Sequence, residues 1–291
     1  MRACLCFLML CAVVSPVSVI AQGQFLDSNG VPIYYEVTGS GEPILLIHGN
    51  GADSRSWTNA GVVQSFSKEH RVVTLDCRGS GKSGKPHDPL QYGREMGLDV
   101  VRLLDHLGIR RAHIVGYSMG AEIAAVLLVT SPERFLTGTL AGYAGRFQWT
   151  SEEQKRTELE ASEIERDGIS RSMLRRLSPA ERPPTEVEIA QRQKAALADP
   201  SFDQHAIAAR MRSAKDRAIT PAQVAAVKIP TLAIAGSADP NLAGIKELGK
   251  LRPDVKVTVI EGATHGGATG VILRPEFVTT IREFIAANHG K

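Results

Sequence analysis

Long apolar runs are scarce in this 291-residue sequence, and the longest of them lies at its start. It covers Ala3 to Val14, follows a short start made basic by Arg2 and is interrupted at Ser15-Pro16. A membrane span needs about 20 apolar residues, so this run favours a secretory signal over a membrane anchor. Because small residues precede a cleavage site after Ala21, we expect export to the periplasm or the medium, removal of residues 1–21 and no stable membrane anchor.

Cysteine is equally scarce, and most of it falls within the predicted signal. Of the four cysteines, Cys4, Cys6 and Cys11 lie there and would leave with it. Cys77 alone would remain, so the exported protein has no internal disulfide even in an oxidising compartment. Its place directly after an apolar run favours a packed small residue over a thiol nucleophile.

The sequence also lacks an excess of charge. It has 34 basic and 31 acidic side chains, a formal net charge of +3, and no basic run stands out. Nucleic-acid binding is therefore not expected. Repeats and low-complexity tracts are absent too, and the length accommodates one large α/β domain as well as two small ones.

Short apolar runs alternate with stretches of helical periodicity through most of the chain. The first two runs, Gln24 to Asp27 and Val31 to Val37, are joined by an Asn-Gly turn and predict a hairpin. The later runs predict buried parallel strands, and the whole pattern indicates an α/β fold with a doubly wound, mostly parallel sheet. Helices are predicted over Trp57 to Ser67 and over Leu90 to Leu107. The second carries an apolar stripe of Leu98, Val101, Leu104 and Leu107.

The pattern changes between residues 145 and 220, where charge density rises and helix signals replace strand signals. The α/β pattern then resumes, which favours a helical cap inserted into one domain over an independent helical domain. We therefore expect a core formed by residues 22–144 and 221–291. The insertion precedes the last two strands.

The stretch from Gly116 to Gly120 reads Gly-Tyr-Ser-Met-Gly and joins an apolar strand to a predicted helix. This pattern at such a junction is typical of a nucleophile elbow, in which Ser118 occupies a tight turn. The glycines are needed because side chains there would collide as the helix folds back over the strand. On this pattern alone, a helix start that merely contains a serine remains an alternative.

A second glycine-rich stretch, Gly79 to Gly84, satisfies one dinucleotide-binding pattern and nearly satisfies the Walker A pattern. Both phosphate sites need a helix that begins at the end of the loop. Pro86 and Pro89 follow at once and forbid that helix start. We therefore expect no cofactor, and we predict no metal site.

Two further residues complete a possible catalytic set with Ser118. Asp239 and His265 each follow a predicted strand, and the carboxyl ends of parallel strands meet at one edge of a sheet. Asp239 by itself would be a turn residue and His265 a loop histidine. Together with Ser118, in the order Ser, Asp, His, they favour a nucleophile, an orienting acid and a general base.

These motifs resemble those of α/β-hydrolase-fold enzymes, and the resemblance extends from Gln24 to Ala287. The matching segments are His48-Gly49-Asn50-Gly51, Asp76 to Ser83, Gly116 to Gly120, Gly236 to Asp239, and Gly262 to His265. The resemblance implies that Ser118 is the nucleophile, Asp239 the acid and His265 the base. It further implies an oxyanion hole formed by the backbone N–H groups of Asn50 and Met119. His48, Asp76 and Arg78 are implied to be structural.

A serine nucleophile favours hydrolysis of a small-molecule carboxylic ester, lactone or thioester through an acyl-enzyme on Ser118. C–C bond hydrolysis or perhydrolysis with the same triad is the alternative, and a non-catalytic binding protein is a further one. The sequence does not indicate the acyl group, the alcohol or the oligomeric state. Four aromatic side chains are candidates for the substrate pocket or, equally, for ordinary packing: Trp57, Tyr143, Phe147 and Trp149.

Overall fold

The computed structural model describes residues 23–290, and the predicted signal with its cleavage site lies outside them. The strands are β1 Gln24–Ser28, β2 Val31–Thr38, β3 Glu42–Ile47, β4 His70–Leu75, β5 Ala112–Tyr117, β6 Phe135–Ala141, β7 Thr231–Gly236 and β8 Lys256–Ile260. The helices are α1 Arg55–Asn59, α2 Val62–Phe66, α3 Glu95–His106, α4 Met119–Thr130, α5 Ser151–Asp167, α6 Arg171–Arg176, α7 Glu186–Ala198, α8 Gln204–Arg212, α9 Pro221–Ala226, α10 Leu242–Leu251 and α11 Pro275–Ala287.

All eight strands form one sheet in the order β1-β2-β4-β3-β5-β6-β7-β8. The hairpin of β1 and β2 is antiparallel, β2 joins β4 in the antiparallel sense, and the remaining pairs are parallel. Asn29 and Gly30 both have positive φ, 58° and 79°, which is the backbone that a two-residue hairpin turn requires. The predicted fold class is confirmed.

Helices cover both faces of the sheet, as a doubly wound fold requires. Along β3, Ile44 and Leu46 pack into the layer that contains α1, α2 and α11, while Leu45 and Ile47 pack into the layer of α3, α4, α9 and α10. Because successive side chains of a strand point to opposite faces, a continuous apolar run is what such a strand needs.

Two of the helix predictions were wrong in detail. The helix expected over Trp57 to Ser67 is broken into α1 and α2 at Gly61, whose φ of +72° is incompatible with a continuing helix. The helix expected from Leu90 begins only at Glu95, because a 3₁₀ turn and then Gly93, with φ +60°, precede it. Of its predicted stripe, Leu104 is buried and Val101 and Leu107 pack against the core, but Leu98 is 41% exposed. The buried face also carries Met96, Val100 and Leu103.

The segment from 145 to 220 contains α5–α8 and a 3₁₀ turn over Ser213–Arg217. Helices α5 and α8 pack against each other. Thr150 and Thr185 cap α5 and α7 in capping boxes with Glu153 and Glu188, the second of which the sequence pattern indicates. Within residues 23–290, no helix has the length and apolar character needed to cross a bilayer.

Gly120, the second glycine of the elbow, provides a test of the packing between α4 and the end of β3. A Cβ atom at Gly120 would lie 2.0 Å from the carbonyl oxygen of Ile47, whereas one at Gly244 in α10 would meet nothing within 4 Å. We expect Gly120→Ala to lower the free energy of unfolding by about 3 kcal/mol or more, because backbone must move. Gly244→Ala should raise it by about 0.5–1 kcal/mol, because it stiffens the unfolded chain in a helical position.

Urea unfolding followed by far-UV circular dichroism measures both variants. Equal stability of the two variants would contradict the close contact between α4 and the end of β3.

Candidate active site

The turn between β5 and α4 holds Ser118 in a strained backbone. Its φ of 54° and ψ of −112° lie in a region that side-chain-bearing residues rarely adopt. A Cβ atom at Gly116 would lie 2.2 Å from the carbonyl oxygen of Gly120, so the turn closes only with glycine there. The chain thus reverses within one residue, and Ser118 stands between the end of a strand and the start of a helix.

The structure brings Ser118, His265 and Asp239 into one hydrogen-bonded chain. Ser118 Oγ lies 3.0 Å from His265 Nε2, and His265 Nδ1 lies 3.0 Å from Asp239 Oδ2. The three residues follow β5, β8 and β7, whose carboxyl ends meet at one edge of the sheet. Both His265 and Asp239 are buried, at 7% and 4% exposure, so solvent competes little for these bonds.

Neighbouring groups hold the histidine and the aspartate in place. The backbone N–H of Asn241 donates to Asp239 Oδ1 at 2.8 Å, and its side-chain Nδ2 donates to the Gly142 carbonyl oxygen at 2.9 Å. The ring of Tyr117 stacks on that of His265, with centroids 5.4 Å apart and planes inclined by 26°. Gly142, at φ +66°, leaves the space that the ring occupies, because a Cβ atom there would lie 3.2 Å from His265 Cε1. The sequence patterns did not indicate these supporting residues.

The loop after β3 is fixed by a buried histidine. His48 Nε2 accepts the backbone N–H of Cys77 at 3.0 Å, so its proton is on Nδ1, which donates to the Gly49 carbonyl oxygen at 2.8 Å. Burial lowers the pKa of His48, which keeps the ring neutral. A Cβ atom at Gly49 would lie 3.3 Å from that of Ser118. His48 therefore positions the segment beside Ser118, in agreement with a structural role.

Asn50, Ser118 and Met119 line one cavity of about 370 Å³. Met119 is the first residue of α4, and N–H groups in the first turn of a helix have no carbonyl partner one turn earlier. The helix dipole also favours negative charge at this end. A backbone donor is thus available next to the serine, and Asn50 lines the same cavity. This placement suits the predicted oxyanion hole.

Tyr143 is the one residue of the four aromatic candidates that lines this cavity. The pocket prediction was wrong for Trp57, which is fully buried in the core and stacks on Phe277 at 6.2 Å. Phe147 instead packs against the core layer of α3 and α4. Trp149 lies outside the cavity lining. The guanidinium of Arg146 lies over its ring, 5.1 Å from the ring centroid.

The cavity wall is charged, which the sequence patterns did not indicate. Glu122, in the first turn of α4, is buried and accepts from Arg146 Nε at 2.8 Å and from Arg217 Nε at 3.3 Å. Burial raises the pKa of this carboxyl, but the guanidinium groups of Arg217 and Arg146 outweigh burial and hold the pKa below its ordinary value. Glu122 is therefore ionised at neutral pH and joins α4 to both ends of the 145–220 segment.

Arg210 of α8 forms a second link between that segment and the core. Its Nη2 donates to Asn50 Oδ1 at 2.6 Å, and its Nη1 donates to Ser80 Oγ at 2.6 Å and to two carbonyl oxygens, those of Arg78 and Gly79. Every one of these acceptors is neutral. Burial lowers the pKa of Arg210 to about 10, so the side chain stays charged at neutral pH.

The glycine-rich loop of residues 79–84 is ordered by protein groups. Asp76 accepts the backbone N–H of Lys82 at 2.7 Å and that of Ser54 at 2.8 Å. Arg78 forms a buried, two-point ion pair with Asp99, with bonds of 2.6 and 2.5 Å. Burial raises the pKa of Cys77 to about 12, so its thiol is not a nucleophile at neutral pH.

Comparison with known families agrees with this geometry. The sequence profile described as the alpha/beta hydrolase fold matches residues 42–267. The chain belongs to the α/β-hydrolase fold family. The resemblance seen in the sequence motifs is confirmed.

Curated relatives match parts of this hydrolase chain. A 2-hydroxymuconate semialdehyde hydrolase from Pseudomonas sp. strain CF600 is 36% identical over 125 residues, 42% of this chain and 44% of that protein. Rhodomycin D methylesterase DauP from Streptomyces sp. strain C5 is 37% identical over 100 residues, 34% of each protein. Each match thus spans less than half of the relative.

The whole fold is shared with solved structures. A thermophilic esterase from Thermogutta terrifontis superposes with a TM-score of 0.74 at 23% identity, covering 92% of this chain and 100% of that one. This likeness concerns the fold.

The buried Glu122 cluster predicts an acid-sensitive stability. The pKa of Glu122 in the folded state lies below its ordinary value of 4.5. Its contribution to the free energy of unfolding is therefore present above about pH 4.5 and is lost as the pH falls through the folded-state pKa. Glu122→Gln should lower the free energy of unfolding at pH 7 by about 3–5 kcal/mol, since it leaves two buried guanidinium groups without a carboxylate. Its stability should then depend less on pH between pH 5 and 3 than that of the wild type.

Urea unfolding at a series of pH values measures this, with the exposed Glu133→Gln as the matched control. An acid dependence that is the same in Glu122→Gln and in the wild type would show that Glu122 does not carry it.

Proposed function

We propose that this protein is a serine hydrolase that cleaves a carboxylic ester, or a related lactone or thioester, through an acyl-enzyme on Ser118. The observation that carries the proposal is the chain of two 3.0 Å contacts from Ser118 through His265 to Asp239 at the wall of a cavity. A serine hydroxyl is a weak nucleophile until a base takes its proton, and a histidine held by a carboxylate is the group suited to that task.

In the proposed reaction, Ser118 Oγ attacks the substrate carbonyl carbon while His265 Nε2 takes its proton. Asp239 holds the Nδ1–H and stabilises the imidazolium that forms. The N–H groups of Asn50 and Met119 bind the oxyanion, and one such donor contributes on the order of 10²–10³ in kcat in other enzymes. His265 then gives the proton to the leaving alcohol. Water attacks the acyl-enzyme by the same path and releases the acid.

The named relatives support two candidate reaction types. The Rhodomycin D methylesterase supports ester cleavage, and the 2-hydroxymuconate semialdehyde hydrolase supports cleavage of a C–C bond as the second candidate. Perhydrolysis and a non-catalytic binding role are further alternatives, the latter disfavoured because binding has no need of all three residues. Export with cleavage after Ala21 remains part of the proposal, supported by the apolar run at residues 3–14.

The role of Ser118 is tested with p-nitrophenyl esters of graded acyl length. The wild type should hydrolyse at least one of them, and Ser118→Ala should lower kcat by about 10³-fold or more, because the nucleophile is removed. Ser40→Ala, at an exposed loop position, is the matched control and should retain full activity. Hydrolysis by Ser118→Ala at the wild-type rate would overturn the proposal.

A fluorophosphonate probe distinguishes the remaining reactions. Labelling of Ser118 without turnover of any ester would show a reactive serine that does not act on esters. Turnover of 2-hydroxymuconate semialdehyde, measured as the loss of its conjugated absorbance, would then support the C–C hydrolase. Absence of both labelling and turnover would favour the binding protein.

A further inference from the structure

The wall of the cavity beside Ser118 carries more positive than negative side chains. Its charged members are five arginines and two glutamates: Arg146, Arg156, Arg176, Arg210, Arg217, Glu122 and Glu160. Hydrophobic and aromatic side chains usually dominate the lining of a small-molecule pocket, with few charged groups. This cavity therefore departs from the lining expected for a substrate that is apolar throughout.

The two carboxylates neutralise only part of this charge. Glu160 accepts from Arg176 through both oxygens, at 2.8 and 3.0 Å, so that pair is balanced. Glu122 is shared by Arg146 and Arg217, and Arg146 has a second, more distant carboxylate partner in Glu153 at 3.7 Å. Among the described residues, the carboxylate paired with Arg156 is that of Glu153, which is 3.9 Å away and lies outside the cavity lining.

Arg210 adds a further cation with neutral partners. Its side chain is 1% exposed, its acceptors are amide, carbonyl and hydroxyl oxygens, and its Nε has no hydrogen-bond partner within the described residues. Arg146 Nη1 is also buried without a hydrogen-bond partner there, since the nearest Glu153 oxygen is 3.7 Å away. Buried charges and donors without partners are costly to a folded protein.

These arginines also connect the 145–220 segment to the core, and that structural role accounts for the bonds they form. It does not account for the buried donors left over, nor for the excess of guanidinium groups over carboxylates in the wall. A ligand with its own negative charge would balance this excess, because guanidinium groups bind carboxylates through short, charge-assisted bonds.

We infer that the substrate of this cavity carries a free carboxylate in addition to the bond that is cleaved, and that Arg146 and Arg210 bind it. The half-ester of a dicarboxylic acid is the simplest member of this class. The inference rests on the proposed serine hydrolase for the reaction, but not for the binding of the anion.

The kinetic test compares an ester that carries a free carboxylate, mono-p-nitrophenyl adipate, with its uncharged methyl ester, p-nitrophenyl methyl adipate. We expect kcat/KM to be at least about tenfold higher for the carboxylate, as charge-assisted hydrogen bonds allow. In Arg146→Gln the ratio should fall to between one and three. Arg166→Gln, an exposed arginine of α5 paired with Asp167, is the matched control and should keep the wild-type ratio.

A loss of folding would obscure the effect of Arg146→Gln on the ratio, so thermal unfolding is recorded for each variant. Arg156 lines the same wall, and its exposed charge attracts the same carboxylate through space. Arg156→Gln, at a side chain 41% exposed, therefore provides a second variant and should lower the ratio at least threefold. A wild-type ratio of one or below, or a ratio unchanged in both folded variants, overturns the inference.

A binding measurement separates this inference from the proposed reaction. Calorimetric titration of Ser118→Ala with adipate should show binding that the uncharged dimethyl adipate does not, and Arg146→Gln in the same background should weaken it at least tenfold. Adipate binding without turnover of any ester would support the anion site and overturn the ester hydrolase. Ester turnover with no preference for the carboxylate and no adipate binding would overturn the anion site and leave the hydrolase.

Discussion

The backbone leaves β5 and enters α4 through a single residue, Ser118, at a φ of 54°. This reversal is possible because Gly116 and Gly120 allow strand and helix to approach within contact distance of backbone atoms. Strain of this kind costs on the order of 1–3 kcal/mol and persists only where the surrounding packing imposes it. Here the packing of α4 on the sheet imposes it. The position of the serine hydroxyl, and with it the distance to His265, depends on that packing.

Much of this arrangement could be predicted from the sequence because it rests on local or periodic signals. The hairpin follows from Asn29-Gly30, whose backbone preferences are local. The position of Ser118 follows from a motif at a strand-to-helix junction. Asp239 and His265 could be placed near it because parallel strands end at a common edge. The catalytic roles of the three residues remain a prediction, since the structure gives their positions and only a measured reaction tests their roles.

Other features depend on contacts between distant parts of the chain, and the sequence did not indicate them. An aromatic side chain such as Trp57 suits the core as well as a pocket, so the residue type does not distinguish the two locations. Only its contact with Phe277 shows that it lies in the core. Arg210 reaches Asn50 across 160 positions of sequence. The sharing of Glu122 by Arg146 and Arg217 is likewise set by how the 145–220 segment lies on the sheet. These charged contacts form the cavity wall and are costly to bury, which connects the stability of the protein to the substrate it admits.

The central claim is that Ser118 becomes acylated during turnover. An aryl carbamate tests it most directly, because carbamoyl-enzymes hydrolyse slowly enough for the adduct to accumulate. After a short incubation with p-nitrophenyl dimethylcarbamate, peptide mass spectrometry should find the carbamoyl mass on Ser118, in step with one equivalent of p-nitrophenol released. Release of that equivalent with Ser118 unmodified, or with the adduct on another residue, would contradict the account.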